Sequence, residues 1–301
     1  HCFNVESEPE LDRLNMVAGE MGCMAPVSLR INPNVDAKTH AKISTGKSEN
    51  KFGIPYERAR DVYAHIAACK NLNAVGVDMH IGSQITDLEP FGNAFRLLAE
   101  LVTELRADGH AIAHVDVGGG LGIPYKTDNQ APPLPDDYAK IVREQTDRLE
   151  CDLVLEPGRL IAGNAGILVT RVEYIKQGAE RTFVIVDAGM NDLIRPTLYE
   201  AHHDVWPVLE ARKNETLSGD VVGPVCETGD YLATGRDLPG ARENDLLAIM
   251  SAGAYGAVQS GTYNSRPLIT EVLVDGDRAH AIRPRQTLEE LIALDSVPDW
   301  L

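Results

Sequence analysis

Between residues 25 and 159 the chain repeats one pattern: a short β-type run, a loop, then an amphipathic helix. Such repetition builds βα units, and βα units build parallel sheets. The runs lie at 27–31, 74–79, 112–117 and 152–155. Between the second and third, Phe91, Phe95, Leu98, Val102 and Leu105 recur at helical spacing, with Gly109 where a C-terminal cap belongs. Pro55 opens a helix carrying Val62 and Ile66, and Asp136 and Asp137 open one carrying Tyr138, Ile141, Val142 and Leu149. Upstream, residues 3–5 read as a strand, and Ser7 with Glu10 reads as a capping box for a helix with Leu11, Leu14, Ala18 and Met21 on one face.

After residue 162 the texture changes. Residues 167–175, 182–186, 218–222, 245–250 and 271–282 read as strands with few helices between them, and Asp275-Gly276 signals a type I′ hairpin. The expected fold is α/β: the carboxyl part of a TIM-like (β/α) barrel over residues 1–163, then a mostly antiparallel β domain over 164–301 whose last segment packs back on the barrel. A complete (β/α)₈ barrel takes ~250 residues, so about three βα units are missing by that arithmetic. With two raw sheet edges left, the piece alone would be poorly soluble or would complete itself with another chain. His1 to Val5 lack the basic region and apolar core of a signal peptide and lack an initiator Met, so an amino-terminally truncated chain is expected.

The 28 basic against 45 acidic residues, a formal charge of −17, argue against a nucleic-acid partner. No window of ~18 apolar residues offers a membrane span. Cys2, Cys23, Cys69, Cys151 and Cys226 are scattered with no C-x-x-C pair. Neither a disulfide framework nor a zinc site is indicated, and a cytoplasmic location is the natural reading.

The chemistry gathers at strand ends. Asp116-Val117-Gly118-Gly119-Gly120 and Glu156-Pro157-Gly158-Arg159 both turn from an apolar run into glycine, where a bare backbone lets a phosphate approach. His80-Ile81-Gly82-Ser83-Gln84 ends another run. In the second domain come Asp187 to Asp192, then Arg195-Pro196 and Tyr199, Cys226-Glu227-Thr228-Gly229-Asp230, and Ala254-Tyr255-Gly256. Singly each is weak: a strand-end His is more often structural, and a free Cys more often a small buried hydrophobe.

In this order, and together with Asn4-Val5-Glu6-Ser7, Arg30-Ile31-Asn32-Pro33 and Lys51-Phe52-Gly53, these motifs make the chain resemble the diaminopimelate decarboxylases across essentially its whole length. Those are alanine-racemase-like, fold type III enzymes of pyridoxal 5′-phosphate. The resemblance implies that Gly118, Gly119 and Gly120, with the backbone of Gly158 and Arg159, cradle the cofactor phosphate, helped by Tyr255 and Ser83. It implies that His80 stacks on the pyridine and that Glu156 accepts a hydrogen bond from the ring nitrogen. An anionic carboxylate there keeps the ring protonated and electron-withdrawing. Arg159, Arg195 and Tyr199 would grip the distal carboxylate of meso-diaminopimelate, and Glu227 its distal ammonium, with Tyr255 also at the substrate. Cys226 would protonate the carbanion, Cys226 and Glu227 reaching the site from the partner of a homodimer. No metal is implied. The reaction would be decarboxylation to L-lysine and CO₂, the last step of lysine biosynthesis.

One departure stands out. The family's Schiff-base lysine sits in a Tyr-Ala-x-Lys-Ala-type motif, and Lys38, Lys42, Lys47, Lys51, Lys70, Lys126, Lys140, Lys176 and Lys213 all lie in other contexts. The 301-residue piece alone is therefore expected to be inactive. Two alternatives stay open: a related ornithine, arginine or carboxynorspermidine decarboxylase, whose substrate lacks a distal carboxylate, and a non-catalytic decarboxylase-like regulator.

Overall fold

Side-chain parity along the strands decides the first unit. In the computed structural model, which describes residues 2–37, 39, 45–47, 50–128, 131–209 and 215–301, the chain divides into a unit of 1–123 with 130–161 and a unit of 124–129 with 162–301. Strands β1 (Phe3–Val5), β2 (Ala25–Asn32), β3 (Ile54–Pro55), β4 (Leu72–Asp78), β5 (His114–Asp116) and β6 (Asp152–Val154) pair in parallel, in the order β1-β2-β4-β5-β6 with β3 beside β2. Val27, Leu29, Ile31, Val77, Met79, Val115 and Val117 are at most 1% exposed. They share one apolar cluster with residues of helices α1 (Glu8–Glu20), α2 (Ala59–Ala68) and α3 (Glu89–Ala107).

Toward the carboxyl ends of the strands, several positions of the other parity are polar. The register sets Arg30 beside Asp78 and Asp78 beside Asp116, and one step back Ser28 beside Gly76 and Gly76 beside His114. The inward rows of a (β/α)₈ barrel are ordinarily filled by Val, Ile and Leu. Here the hydrophobic drive acts on one face only, and the other is left for chemistry.

The α3 stripe behaves as its spacing predicts. Phe91, Phe95, Leu98, Val102 and Leu105 are all buried, and the Phe91 ring meets Tyr138 of α4 (Pro135–Thr146) edge-on at 4.9 Å. Gly109 ends the helix at φ +95°. Leu149 lies past α4, in a 3₁₀ turn, yet is buried. Pro55 falls in β3, and a 3₁₀ turn (Tyr56–Arg58) precedes α2. The capping box at Ser7 does not form. Ser7 is the N-cap, but its hydroxyl makes no cap bond, and the Glu10 carboxylate accepts instead from the backbone N–H of Glu6 at 2.9 Å. Met21, at the helix end, is exposed.

After α5 (Gly158–Ala162), the second unit holds β7 (Leu168–Gln177), β8 (Thr182–Val186), α6 (Arg195–Tyr199), β9 (Val205–Pro207), β10 (Thr216–Val222), β11 (Tyr231–Pro239) and β12 (Leu246–Ile249). Its sheet runs β11-β10-β8-β7-β12-β9, antiparallel throughout except for the β8–β10 pair. Sequence periodicity misses β9 and β11, and these are the two edges of the sheet. Edge strands tolerate the Pro and Gly that disguise them.

A separate hairpin, β13 (Glu271–Asp275) and β14 (Arg278–Arg283), precedes α7 (Leu288–Ile292). Asp275 pairs with Arg278, so Gly276 and Asp277 form the loop. Gly276 has φ +62° and Asp277 is not left-handed. That is the demand of a type II′ turn, which corrects the expected type I′.

Candidate active site

Parity carries the polar face of the first sheet straight into the expected site. Two residues beyond Asp78 stands His80; two beyond Asp116 stands Gly118; two beyond Val154 stands Glu156. The chain leaves each strand with its functional residue on the polar side. His80 is largely enclosed, and burial, with the nearby Arg30 cation, pulls its imidazole down to about 4, so it is neutral at neutral pH. Its Nδ1 accepts the backbone N–H of Gly119 at 3.1 Å, which puts the ring proton on Nε2. A neutral flat ring suits stacking better than an imidazolium beside an electron-poor pyridine would.

The triple glycine earns its composition by close approach. A Cβ on Gly119 would lie 2.1 Å from the Glu156 carbonyl oxygen, and one on Gly120 would lie 2.3 Å from that of Gly82. Gly118 and Gly120 also have φ of +65° and +108°. The Glu156 N–H donates to Gly118 O at 2.8 Å, so the two glycine-bearing strand ends are physically joined. Not every expected cradle amide is aimed outward. Gly118 N–H donates to Asp116 Oδ1, Gly119 N–H to His80, and Gly158 N–H to Glu156 O. The glycines therefore serve first the close packing of the strand ends, and only second the supply of donors. Arg159 is buried, and its Nε and Nη2 donate to Ser83 Oγ at 3.3 and 3.0 Å, uniting two expected site residues.

Glu156 itself is exposed. Partial burial and the Asp116 carboxylate raise its proton affinity, against the pull of Arg30. A carboxylate so tuned holds the proton of a pyridine N–H more tightly. Below it, Asp78 is 3% exposed and pushed up to about 8 by burial and by Asp116, with Arg30 opposing. Glu6 ties the motifs of the first unit together: Oε1 takes Arg30 Nη1 at 2.8 Å and Oε2 takes the Gly53 N–H at 3.0 Å. Arg30 lies 5.0 Å from the Phe52 ring centroid, with Lys51 on the same ring at 5.2 Å.

The second unit assembles the remaining residues around Asp230. This buried carboxylate accepts from Met190 N–H and Val225 N–H, both at 2.6 Å, and clamps the loop after β8 to the loop before β11. Thr197 Oγ1 donates to Gly229 O, and Tyr231 OH to Pro196 O at 3.2 Å, so α6 lies against the Cys226 loop. Arg195 is buried on α6, its guanidinium carbon 4.9 Å from the Tyr125 centroid and 6.0 Å from that of Tyr199. Gln259 Nε2 donates to Tyr199 OH at 3.4 Å. Cys226 and Glu227 are exposed, Glu227 Oε1 accepting from Gly229 N–H. Tyr255 holds φ +56° at 40% exposure.

Glu6, Arg30, Asp78, Asp116 and Asp230 received no individual role from the sequence. Asp78 and Asp116 carried a usable signal, each sitting two residues before a strand-end site residue.

A family model described as the pyridoxal binding domain of pyridoxal-dependent decarboxylases matches residues 1–163. A diaminopimelate decarboxylase from Vibrio cholerae is 53% identical over 297 residues, covering 98% of this chain and 70% of the relative. One from Pseudomonas aeruginosa is 54% identical, covering 99% and 71%. The chain belongs to the diaminopimelate decarboxylase family. Solved decarboxylases of the family agree in fold: one from M. jannaschii superposes with a TM-score of 0.93 at 40% identity, covering all of this chain and 70% of its own, and one from Helicobacter pylori, complexed with L-lysine, gives 0.92 at 40%, covering 97% and 72%. The parallel sheet is thus the pyridoxal-binding part of a decarboxylase of this family, and its cofactor is pyridoxal 5′-phosphate.

The residues present fit that cofactor on two counts. The strand ends meet at glycines packed too closely to bear a Cβ, which leaves bare backbone at the junction, and an exposed carboxylate of raised proton affinity stands beside them. Three of the described lysines are engaged elsewhere. Lys47 pairs with Asp36, Lys51 lies on Phe52 and Lys140 pairs with Asp137, while Lys38, Lys42 and Lys213 lie outside the described residues. No helix among the described residues is long and apolar enough to cross a membrane.

Proposed function

We propose that this chain carries the pyridoxal and substrate contacts for decarboxylating meso-2,6-diaminopimelate to L-lysine and CO₂, and that it does so as a cytoplasmic homodimer. The observation that carries the reading is the junction of Glu156 with the triple-glycine turn, 2.8 Å from Glu156 N to Gly118 O. When bound, pyridoxal phosphate supplies an electron sink for the pair of electrons left as CO₂ departs. The chain's own residues do the rest. Glu156 holds the proton at the ring nitrogen, His80 covers the ring face, and the Gly118–Gly120 turn with Ser83 and Tyr255 seats the phosphate. Arg159, Arg195 and Tyr199 hold the distal carboxylate, and Glu227 holds the distal ammonium. Cys226 delivers a proton to the carbon that lost CO₂, which balances the reaction. The exposure of Cys226 and Glu227 suits a loop offered to the partner's site, and five free cysteines suit a reducing compartment.

A distal carboxylate clamp separates this substrate from ornithine or arginine. The test is binding: titrated into the chain supplied with pyridoxal phosphate, meso-diaminopimelate should bind at least about tenfold more tightly than ornithine. Equal affinity would refute the substrate assignment. Because none of the chain's lysines lies in a Tyr-Ala-x-Lys-Ala-type motif, the 301-residue chain alone is expected to release no CO₂. Lysine formation by the purified chain would overturn that expectation.

A further inference from the structure

We infer that His203 is a positioning residue for Arg195, fixing the direction in which the guanidinium presents itself to a carboxylate. The inference rests on the reading of Arg195 as the distal carboxylate clamp, and it deepens that reading by naming what aims it.

His203 is fully buried, on the loop between α6 and β9, and its ring is held at both nitrogens. Nδ1 lies 2.8 Å from the carbonyl oxygen of Met250. A carbonyl only accepts, so Nδ1 carries the proton. On the opposite side, Arg195 Nε lies 3.3 Å from His203 Nε2. Guanidinium nitrogens only donate and do not give up their protons in proteins, so Nε2 must present its lone pair. Taken together, the two contacts admit one state of the ring, neutral with hydrogen on Nδ1. The backbone at Met250 thereby dictates, through one imidazole, where the Arg195 side chain can dock.

The surrounding rings complete the fix. Tyr125 stands edge-on to His203, at 5.1 Å between centroids and 80° between planes, and also lies 4.9 Å from the Arg195 guanidinium carbon. Arg195 thus has Tyr125 and Tyr199 as ring neighbours and His203 at Nε. An Arg meets a carboxylate with two parallel bonds only when its plane is oriented. The bond from Nε to His203 Nε2 fixes that orientation at one corner of the guanidinium.

Two conservative variants separate aiming from mere packing. Asn at 203 can reproduce the Nδ1–H donor to Met250 O but cannot reach Arg195. Gln can place its amide oxygen where Nε2 stands and accept from Arg195. The probes are meso-diaminopimelate and L-lysine, which differ in the distal carboxylate, each titrated by calorimetry into the full chain with pyridoxal phosphate present. In His203→Asn the affinity ratio of the two should fall about tenfold with lysine binding unchanged, and His203→Gln should restore most of the ratio. Arg195→Met should abolish the ratio. If it does not, or if the parent chain fails to discriminate, the clamp reading is wrong and this inference falls with it. If Arg195→Met abolishes the ratio while His203→Asn leaves it intact, only the role of His203 is refuted. Ring ¹⁵N spectra of the parent chain give an independent readout: a proton on Nδ1 is expected, and a proton on Nε2 would overturn the assignment outright.

Discussion

Replacing Asp78 by Asn should change how stability depends on pH, and the structure fixes both the sign and the size. Asp78 sits in the polar row of the parallel sheet, 3% exposed, with Asp116 as its cross-strand neighbour and Arg30 Nε 4.0 Å away. Its Oδ1 has no hydrogen-bond partner. Burial and Asp116 push its pKa up to about 8, against about 3.9 in an unfolded chain. Folding therefore takes up a proton throughout the window between those values. A carboxyl raised in this way gives its full contribution below pH about 4 and loses it progressively as pH climbs to about 8. One proton corresponds to about 1.4 kcal/mol per pH unit, so at pH 7 the penalty reaches at most about 4 kcal/mol.

Asn keeps the shape and removes the titration. The orphaned amide donor it introduces costs about 1–3 kcal/mol, but equally at every pH. The diagnostic is therefore a slope: from pH about 5.5 to about 8, the stability of Asp78→Asn relative to the parent should rise by up to about 1.4 kcal/mol per unit. Urea unfolding followed by circular dichroism at helical wavelengths reports on the correct unit, because α1 to α4 all belong to it. A difference that stays constant across that range would show Asp78 to be an ionised partner of Arg30, and the argument from burial would fail.

Three further outcomes follow from the same coordinates. Phe95→Ala, in the α3 stripe, should cost about 3–5 kcal/mol in the same unfolding assay, since the ring is 1% exposed and packs against Phe91 and Tyr138; a loss under about 1 kcal/mol would mean the site collapses freely. Gly119→Ala should weaken pyridoxal phosphate binding by at least about tenfold in equilibrium dialysis, because the new methyl meets the Glu156 carbonyl. Unchanged binding would show that the strand ends can separate at no cost to the seat. Asp230→Ala removes two charge-assisted bonds to backbone N–H groups, each worth about 1.5–3 kcal/mol, and should speed amide exchange at Met190 and Val225 first; exchange that accelerates evenly through the sheet would point to global destabilisation instead.

What sequence could reveal followed the strength of local signals. The α3 helix was legible because its stripe of large apolar residues repeats at 3.6, and every member of it is buried. The triple glycine was legible as a turn from its composition, and as part of a site only in company with the other ordered motifs. The edge strands β9 and β11 were hidden, since an edge need not alternate and can hold Pro207, Gly235 and Pro239. Ser7 and Glu10 matched a local rule, but Glu6 is drawn to Arg30 and Gly53, and that tertiary demand leaves Glu10 to serve the Glu6 backbone instead. The ring state of His203 is a three-body fact among Arg195, His203 and Met250. No spacing rule joins positions so far apart in the chain.

The sorting of side chains along β2, β4 and β5 lets one short segment serve two environments. At the end of the strand, neighbouring residues meet different surroundings: Val77 and Met79 lie in the apolar core, while Asp78 and His80 lie among charged and polar groups. Yet the division is not complete: Leu72 is an even position of β4 and a core residue, and buried Asp78 sets part of the stability of the fold it serves.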